Sequence, residues 1–451
     1  MRHLRLAFPV AALALVAYWS TLQAPISADA TSHVETAFSF LLEGNADVDE
    51  YVALSAPLRG APERIGDHWY APYTSGNAAL FAVPALVALA AGIDPTMLAG
   101  VSVFPKAVAS VFVATSVALV LLALRRLVDA RTATYVTMAY ALGSNAFAGA
   151  SQEYGEHPTS LMLGTAGILL VLVGGPRAAA GAGLSQGAAL IVRPTNVFLF
   201  VALLAVQWRA RRVDALRYLL WAIPPLAFQA TVSLLTFGSP FRTARGELPF
   251  GSLLEGAAGQ LISPSRGLFV YAPWTVFAVL ALALSWRGPA DRPRWLVRFG
   301  SLAFAANLVL FGAYADWWGG WTFGNRYLSD LAPLYALALA DAWRRGWFDR
   351  WWLRALLALA IGWSILLHAV GAGLHYFTWS GRHWDVTPNI DLTPWRLWDW
   401  TDTQWQFLLR RLVTDPGPAM VMESAVVLAC IAGFALVSLR STRDGYGRSA
   451  G

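Results

Sequence analysis

Asp29 and His33 lie four residues apart in Ser27-Ala28-Asp29-Ala30-Thr31-Ser32-His33-Val34-Glu35, just past an apolar run at 6–19. On a helix that spacing puts both on one face, with Ser32 less well aligned. A carboxylate at the membrane edge could take a proton from an incoming hydroxyl. A helix cap or a solvated loop acid would leave the same residues. A second group, Ser151-Gln152-Glu153-Tyr154-Gly155-Glu156-His157-Pro158-Thr159, places Glu153, Glu156 and His157 between two apolar blocks. That is more acid–base capacity than a short turn needs, although a solvated turn with a helix starting at Pro158 fits as well.

Two further clusters carry arginine. Ser263-Pro264-Ser265-Arg266-Gly267-Leu268-Phe269 sets Arg266 at the mouth of an apolar block. A guanidinium fork there suits a lipid phosphate, and equally an anchor to ordinary headgroups. The densest cluster is Asp316-Trp317-Trp318-Gly319-Gly320-Trp321-Thr322-Phe323-Gly324-Asn325-Arg326-Tyr327. Its glycines let the backbone turn tightly and approach a ligand. Trp318 and Trp321 could stack on a sugar face beside Asp316, whereas an interfacial aromatic belt would explain the aromatics alone. The segment Pro394-Trp395-Arg396-Leu397-Trp398-Asp399-Trp400-Thr401-Asp402 suits a lid over an acceptor, and no less an amphipathic interfacial helix.

The elements that must position these groups are membrane helices. Hydrophobic residues make up 57% of the chain and charged residues 13%, against about 25% charged in a soluble domain. Apolar blocks fall at roughly 6–23, 101–124, 131–149, 159–175, 215–236, 268–286, 299–315, 327–342, 353–373 and 419–439. Each approaches the ~20 residues that span a bilayer core. The stretch 181–208 is broken by Arg193-Pro194-Thr195-Asn196 and reads as a short helical hairpin whose tip is Arg193-Pro194. The block 77–92 is short, contains Pro84, and is expected on the outer interface or dipping into it.

Arginine placement supports this reading. Arg125, Arg126 and Arg131, then Arg209, Arg211, Arg212 and Arg217, fall on the cytoplasmic side only if 77–92 does not cross and 181–208 is a hairpin. The result is an all-α polytopic protein of about 12 membrane segments, with both termini cytoplasmic and the first segment an uncleaved anchor. It forms one domain over 1–451. Its long extracytoplasmic loops include 24–77, with interfacial helices, and the Trp-rich 374–418. Acidic residues gather on the extracytoplasmic side, where any chemistry is expected. Cys430 is the single cysteine and lies in the last apolar block, which excludes a disulfide framework or a cysteine metal site. The net charge of +6 tracks the membrane boundaries and is no nucleic-acid signal. No glycine-rich phosphate loop, zinc-type histidine spacing or nucleophile elbow occurs.

With these residues in view, the chain resembles the GT-C superfamily of polytopic glycosyltransferases. The resemblance is to the bacterial branch similar to protein O-mannosyltransferases and lipid A aminoarabinose transferases. It rests on Asp29 after the first span, the short loop ending in His157-Pro158, Arg193-Pro194 at a hairpin tip, Ser-Pro-Ser-Arg-Gly-Leu-Phe at 263–269 and Gly-Gly-Trp-Thr-Phe-Gly-Asn-Arg-Tyr-Leu at 319–328. Two positions depart from the family pattern. Ala30 follows Asp29 where an acidic pair is common, and His157 stands where many members carry aspartate.

The resemblance implies transfer of a sugar from a polyprenyl-phosphate donor at the extracytoplasmic face of the plasma membrane. The acceptor would be a glycan, glycolipid or protein. Asp29 would be the base of an inverting displacement, aided by His33, Glu153, Glu156 or His157, and Arg266, Arg326, Lys106 and Arg193 would hold the donor phosphate. No cofactor is required, and a divalent cation is optional. A secondary transporter and a catalytically silent envelope-assembly scaffold are the alternatives. A transporter would favour ionisable groups near the bilayer midplane and repeated halves, and no repeat is visible.

Overall fold

The computed structural model describes residues 2–20, 28–52, 62–93, 103–240, 242, 249–375, 381–414 and 417–446. Helices account for nearly all of the regular structure. Their order begins α1 (Arg2–Tyr18), α2 (Ala28–Leu42), a two-stranded hairpin of β1 (Glu63–Ile65) and β2 (His68–Tyr70), then α3 (Gly76–Ala90), α4 (Val103–Leu124) and α5 (Ala130–Leu142). There follow α6 (Glu156–Val173), α7 (Pro176–Val192), α8 (Val197–Ala210) and α9 (Arg212–Phe237). The second half holds α10 (Leu253–Ile262), α11 (Trp274–Ala283), α12 (Arg292–Ala313), α13 (Ala332–Arg344), α14 (Trp351–Val370), α15 (Gln404–Thr414) and α16 (Gly417–Tyr446).

Among the described residues each apolar block expected from the sequence contains helix, and the break at Arg193–Asn196 does separate two helices, α7 and α8. Pro84 sits inside a continuous α3 rather than interrupting it. Among the described residues six helices are long and apolar enough to cross a membrane: Val103–Leu124, Glu156–Val173, Arg212–Phe237, Arg292–Ala313, Trp351–His375 and Met420–Leu439. Shorter apolar helices cover Arg5–Tyr18, Gly76–Ala90 and Trp274–Trp286. The side chains they turn outward are apolar too: Leu220 is 62% exposed, Leu235 81% and Leu359 72%. Outward leucines at that density need hydrocarbon rather than water around them. The chain is an all-α, multi-pass membrane protein.

Lipid offers little hydrophobic drive between helices, so close backbone approach has to supply cohesion. α7 supplies it with Gly183 and Gly187, four residues apart, packed on α9. A β-carbon at Gly183 would stand 2.0 Å from the Tyr218 carbonyl oxygen, and one at Gly187 2.7 Å from that of Ala222. α4 packs between α1 and α6, and α12 runs against both α8 and α10. A separate small core joins α2, α3 and α4 through Val34, Phe38, Phe81, Val108 and Tyr154. It fixes the first loop helix against the segment leading into α6.

Gly183→Leu is expected to cost at least about 3 kcal/mol, because overpacking here meets backbone that cannot turn aside. Thermal unfolding in detergent would register this as a markedly lower midpoint and a reduced folded yield. A variant as stable as the parent would show that α7 and α9 do not meet this closely.

Candidate active site

α6 begins at Glu156, so His157 lies in its first turn with its ring at the helix end. Arg193 occupies the extended break between α7 and α8, with φ −148° and ψ 113°. Asp330 lies in a 3-10 turn, Ser329–Leu331, that leads directly into α13. Three helix ends thus deliver a base, a cation and a carboxylate to one place.

His157 Nδ1 lies 2.8 Å from Asp330 Oδ1. Arg193 Nη1 donates to the other carboxylate oxygen, Oδ2. Arg193 Nε faces Glu156 Oε2 at 3.5 Å. Arg326 Nε donates to His157 Nε2 at 3.1 Å. An imidazole nitrogen that accepts carries no proton, so the ring proton belongs on Nδ1, aimed at Asp330. Arg193 Nη1, 3.2 Å from Nδ1, shares that carboxylate with it. The Arg193 guanidinium also covers the Phe311 ring at 5.4 Å, and Phe311 stacks on Tyr327 at 4.4 Å. The His157, Arg193 and Asp330 side chains are at most 10% exposed, whereas Arg326 is half-buried.

The first loop reaches the same place. The His33 ring packs on Tyr73 at 4.8 Å. One residue on, Thr74 Oγ1 donates to the Val192 carbonyl, next to Arg193, at 3.1 Å. Gly76 presses on Ile191 so closely that a β-carbon would lie 2.3 Å from its carbonyl oxygen. Asn77 ties in the opposite side: its Nδ2 donates to the Gly155 carbonyl at 2.9 Å, and its Oδ1 accepts from Thr159 at 2.7 Å. Asp29 lies in the first turn of α2, and its side chain falls outside the described residues.

Of the residues singled out by sequence, Glu156, His157, Arg193 and Arg326 therefore meet, with His33 joined through Tyr73 and Thr74. Glu153 is half-buried, three residues before the start of α6. Five others lie elsewhere. Lys106 is buried within α4, where the charge it feels is Glu423 of α16. Asp316 is half-buried at the start of the 316–327 turn. Arg266 is 1% exposed and donates through Nη2 to Asp385 at 2.6 Å and to the Gly320 carbonyl at 3.2 Å. Asp385 also meets His375 Nε2 at 2.7 Å and the Gln404 amide at 2.9 Å. Burial alone would raise the Asp385 carboxyl, but Arg266 and His375 outweigh it and hold the group below the ordinary carboxylate range. Trp318 and Trp321 donate their indole N–H groups to Asp391 at 2.9 Å and Asn389 at 3.1 Å. Both rings are thereby fixed to the last loop.

Sequence reasoning missed Asp330 and Asp385. Asp330 carried a signal, since an acid at the start of an apolar helix is costly unless it has a partner. Asp385, in a polar loop, had none. Gln260 was missed as well. It holds Asn325 through two bonds, at 2.8 and 2.7 Å, and so fixes the residue next to Arg326.

Comparison with known proteins adds a structural likeness. A search of solved structures finds the crystal structure of ArnT from Cupriavidus metallidurans in the apo state. Its TM-score is 0.48 at 14% identity, over 96% of this chain and 76% of that one. No family model matches the sequence, and no curated protein does.

Asp385→Asn should cost about 3–5 kcal/mol at neutral pH, because it leaves Arg266 buried without its counter-charge. A carboxyl whose folded pKa is depressed stabilises above its unfolded pKa, near 4, and that contribution is lost as pH falls through the folded value. Below about pH 4 the gap between parent and variant should therefore close. Thermal unfolding across pH checks this, and a gap independent of pH would assign the loss to packing.

Proposed function

We propose that this protein is a membrane glycosyltransferase that moves a sugar from a polyprenyl-phosphate donor to a hydroxyl acceptor at the extracytoplasmic surface. The observation that carries the reading is the meeting of Glu156, His157, Arg193, Arg326 and Asp330 at three helix ends, with the His33 face of α2 joined to them. The motif resemblance supplies the donor class, and the cluster is chemically suited to it.

Transfer from a lipid phosphate builds negative charge on the departing phosphate as the anomeric carbon is attacked. A cation positioned beforehand stabilises that charge without reorganising. Arg326 is half-buried, and His157 sets its orientation through the Nε bond, so it is the arginine assigned to the phosphate. Arg193 is committed to Asp330, so its work is to hold the carboxylate that orients His157. Asp29, on the helix that carries His33, is the base that takes the acceptor proton. Inversion follows from a single displacement. Arg266, bonded to Asp385, instead secures the last loop, which would close over the acceptor.

The testing assay offers purified protein radiolabelled polyprenyl-phosphate mannose, arabinose and glucose with an envelope extract as acceptor. Asp29→Asn should lower transfer by about 10²–10⁴-fold, the range of a lost general base, with folding intact. Arg326→Ala should lower it by about 10²–10³-fold, as expected for a lost charge-stabilising donor. Transfer that survives both substitutions would overturn the assignment. A folded protein that transfers from no donor would overturn the transferase reading and send the search to uptake assays.

A further inference from the structure

The segment between α2 and α3 holds a second group of ligand-type side chains, apart from the helix-end cluster. After α2 ends at Leu42, the chain pairs along the β1–β2 hairpin. The Val48 N–H donates to the Trp69 carbonyl at 2.8 Å, and Asp47 bridges Tyr70. Gly66, at φ 65°, turns the hairpin and returns His68 beside the 47–50 segment. Asp47, Asp49 and His68 then present one ligand atom each, all within 4.8 Å of one another. Glu43, Asp47 and Glu50 do the same.

Asp47 is common to both sets and is 8% exposed. Among the described residues no other residue donates a hydrogen bond to its carboxylate, and the positive group acting on it is His68. A buried carboxylate is normally paired with a cation or with several donors, because leaving it otherwise is costly. Its neighbours make matters worse. Carboxylate oxygens of Asp49, Glu43 and Glu50 each stand within 4.8 Å of an Asp47 oxygen. The nearby Arg64 pairs with Asp67 at 4.0 Å. His68, 2.7 Å from Asp49 Oδ2 through Nδ1, is therefore the main positive counterweight.

We propose that Asp47, Asp49 and His68 bind a divalent cation, with Glu43 and Glu50 as outer carboxylates around it. One ring nitrogen with two carboxylates suits a first-row transition cation such as Mn²⁺ or Zn²⁺ over Ca²⁺, which prefers oxygen alone. On binding, the proton held between His68 and Asp49 leaves to solvent, and the ring nitrogen and carboxylate oxygens donate lone pairs to the ion. Water completes the shell. The ion clamps the end of α2 to the β1–β2 hairpin and so steadies the helix that carries Asp29 and His33. The proposal goes beyond the transferase reading and does not rest on it.

The test uses the full-length protein in detergent, stripped with chelator and titrated with Mn²⁺ while the free-ion electron paramagnetic resonance signal is followed. Zn²⁺ is titrated in parallel by calorimetry. One site is expected, together with a rise in the thermal midpoint on adding metal. Asp47→Asn and His68→Gln should each weaken binding at least about tenfold and abolish the rise. Asp67→Asn, fully exposed on the hairpin turn, should leave binding unchanged. His68 is more than half exposed, so its substitution tests the site even if Asp47→Asn fails to fold. Absence of binding by either ion, or equal binding in parent and His68→Gln, would overturn the proposal.

Discussion

The cost of burying charge organises this molecule. A guanidinium taken out of water without a partner would undo several helix contacts' worth of stabilisation, so a buried arginine must be met by a carboxylate or, as at Arg298, by backbone carbonyls. Arg193 illustrates the consequence. It interrupts a pair of helices that would otherwise read as one apolar run, and its charge is met by Asp330 more than a hundred residues away. Once that pair is made, the α7–α8 break, the start of α13 and the start of α6 are fixed relative to one another, because His157 shares the same carboxylate. Gly76 on Ile191 and Thr74 on Val192 then hold the first loop to the same point. Cluster and architecture are one arrangement.

A second buried pair does for the last loop what the first does for the bundle. Arg266 and Asp385 are both almost fully buried, and Gln404 bonds the same carboxylate. Gln404 in turn donates to the Thr322 carbonyl and accepts from Tyr271. A loop of 45 residues rich in tryptophan, 374–418, could lie on the interface in many ways. These bonds select one of them, and the indoles of Trp318 and Trp321, bonded to Asp391 and Asn389, confirm the choice from the opposite side.

The helices were legible because each apolar block is long enough to show against turns, and because arginine marks the boundaries. Arg193-Pro194 was legible as a break for the same reason. The partners were not. Asp330 lies 137 residues from Arg193, and Asp385 lies 119 from Arg266, and no local spacing encodes such pairs. Arg266 shows the limit most clearly. Its sequence setting, at the mouth of a span beside Ser-Pro-Ser, suits a phosphate ligand, yet whether a guanidinium faces outward or is spent on an internal carboxylate depends on a residue the motif does not contain. Asp47, Asp49 and His68 escaped notice similarly. Their proximity comes from a hairpin pairing that only three-residue strands define.

The two buried networks are not independent. Arg266 donates to the Gly320 carbonyl, and a β-carbon at the neighbouring Gly319 would lie 3.5 Å from the Arg326 side chain. Gly319, Gly320 and Gly324 all hold positive φ, at 77°, 74° and 61°, a backbone path that few other residues could follow. The twelve-residue turn that the sequence marked as the densest cluster is thus the strap between them. One end is held by Arg266 and Asp385, and the other carries Arg326 to His157. One backbone path therefore sets both the contact with Arg266 and the position of the Arg326 guanidinium. The strap thus ties the seating of the last loop on Arg266 to the placing of Arg326 beside His157.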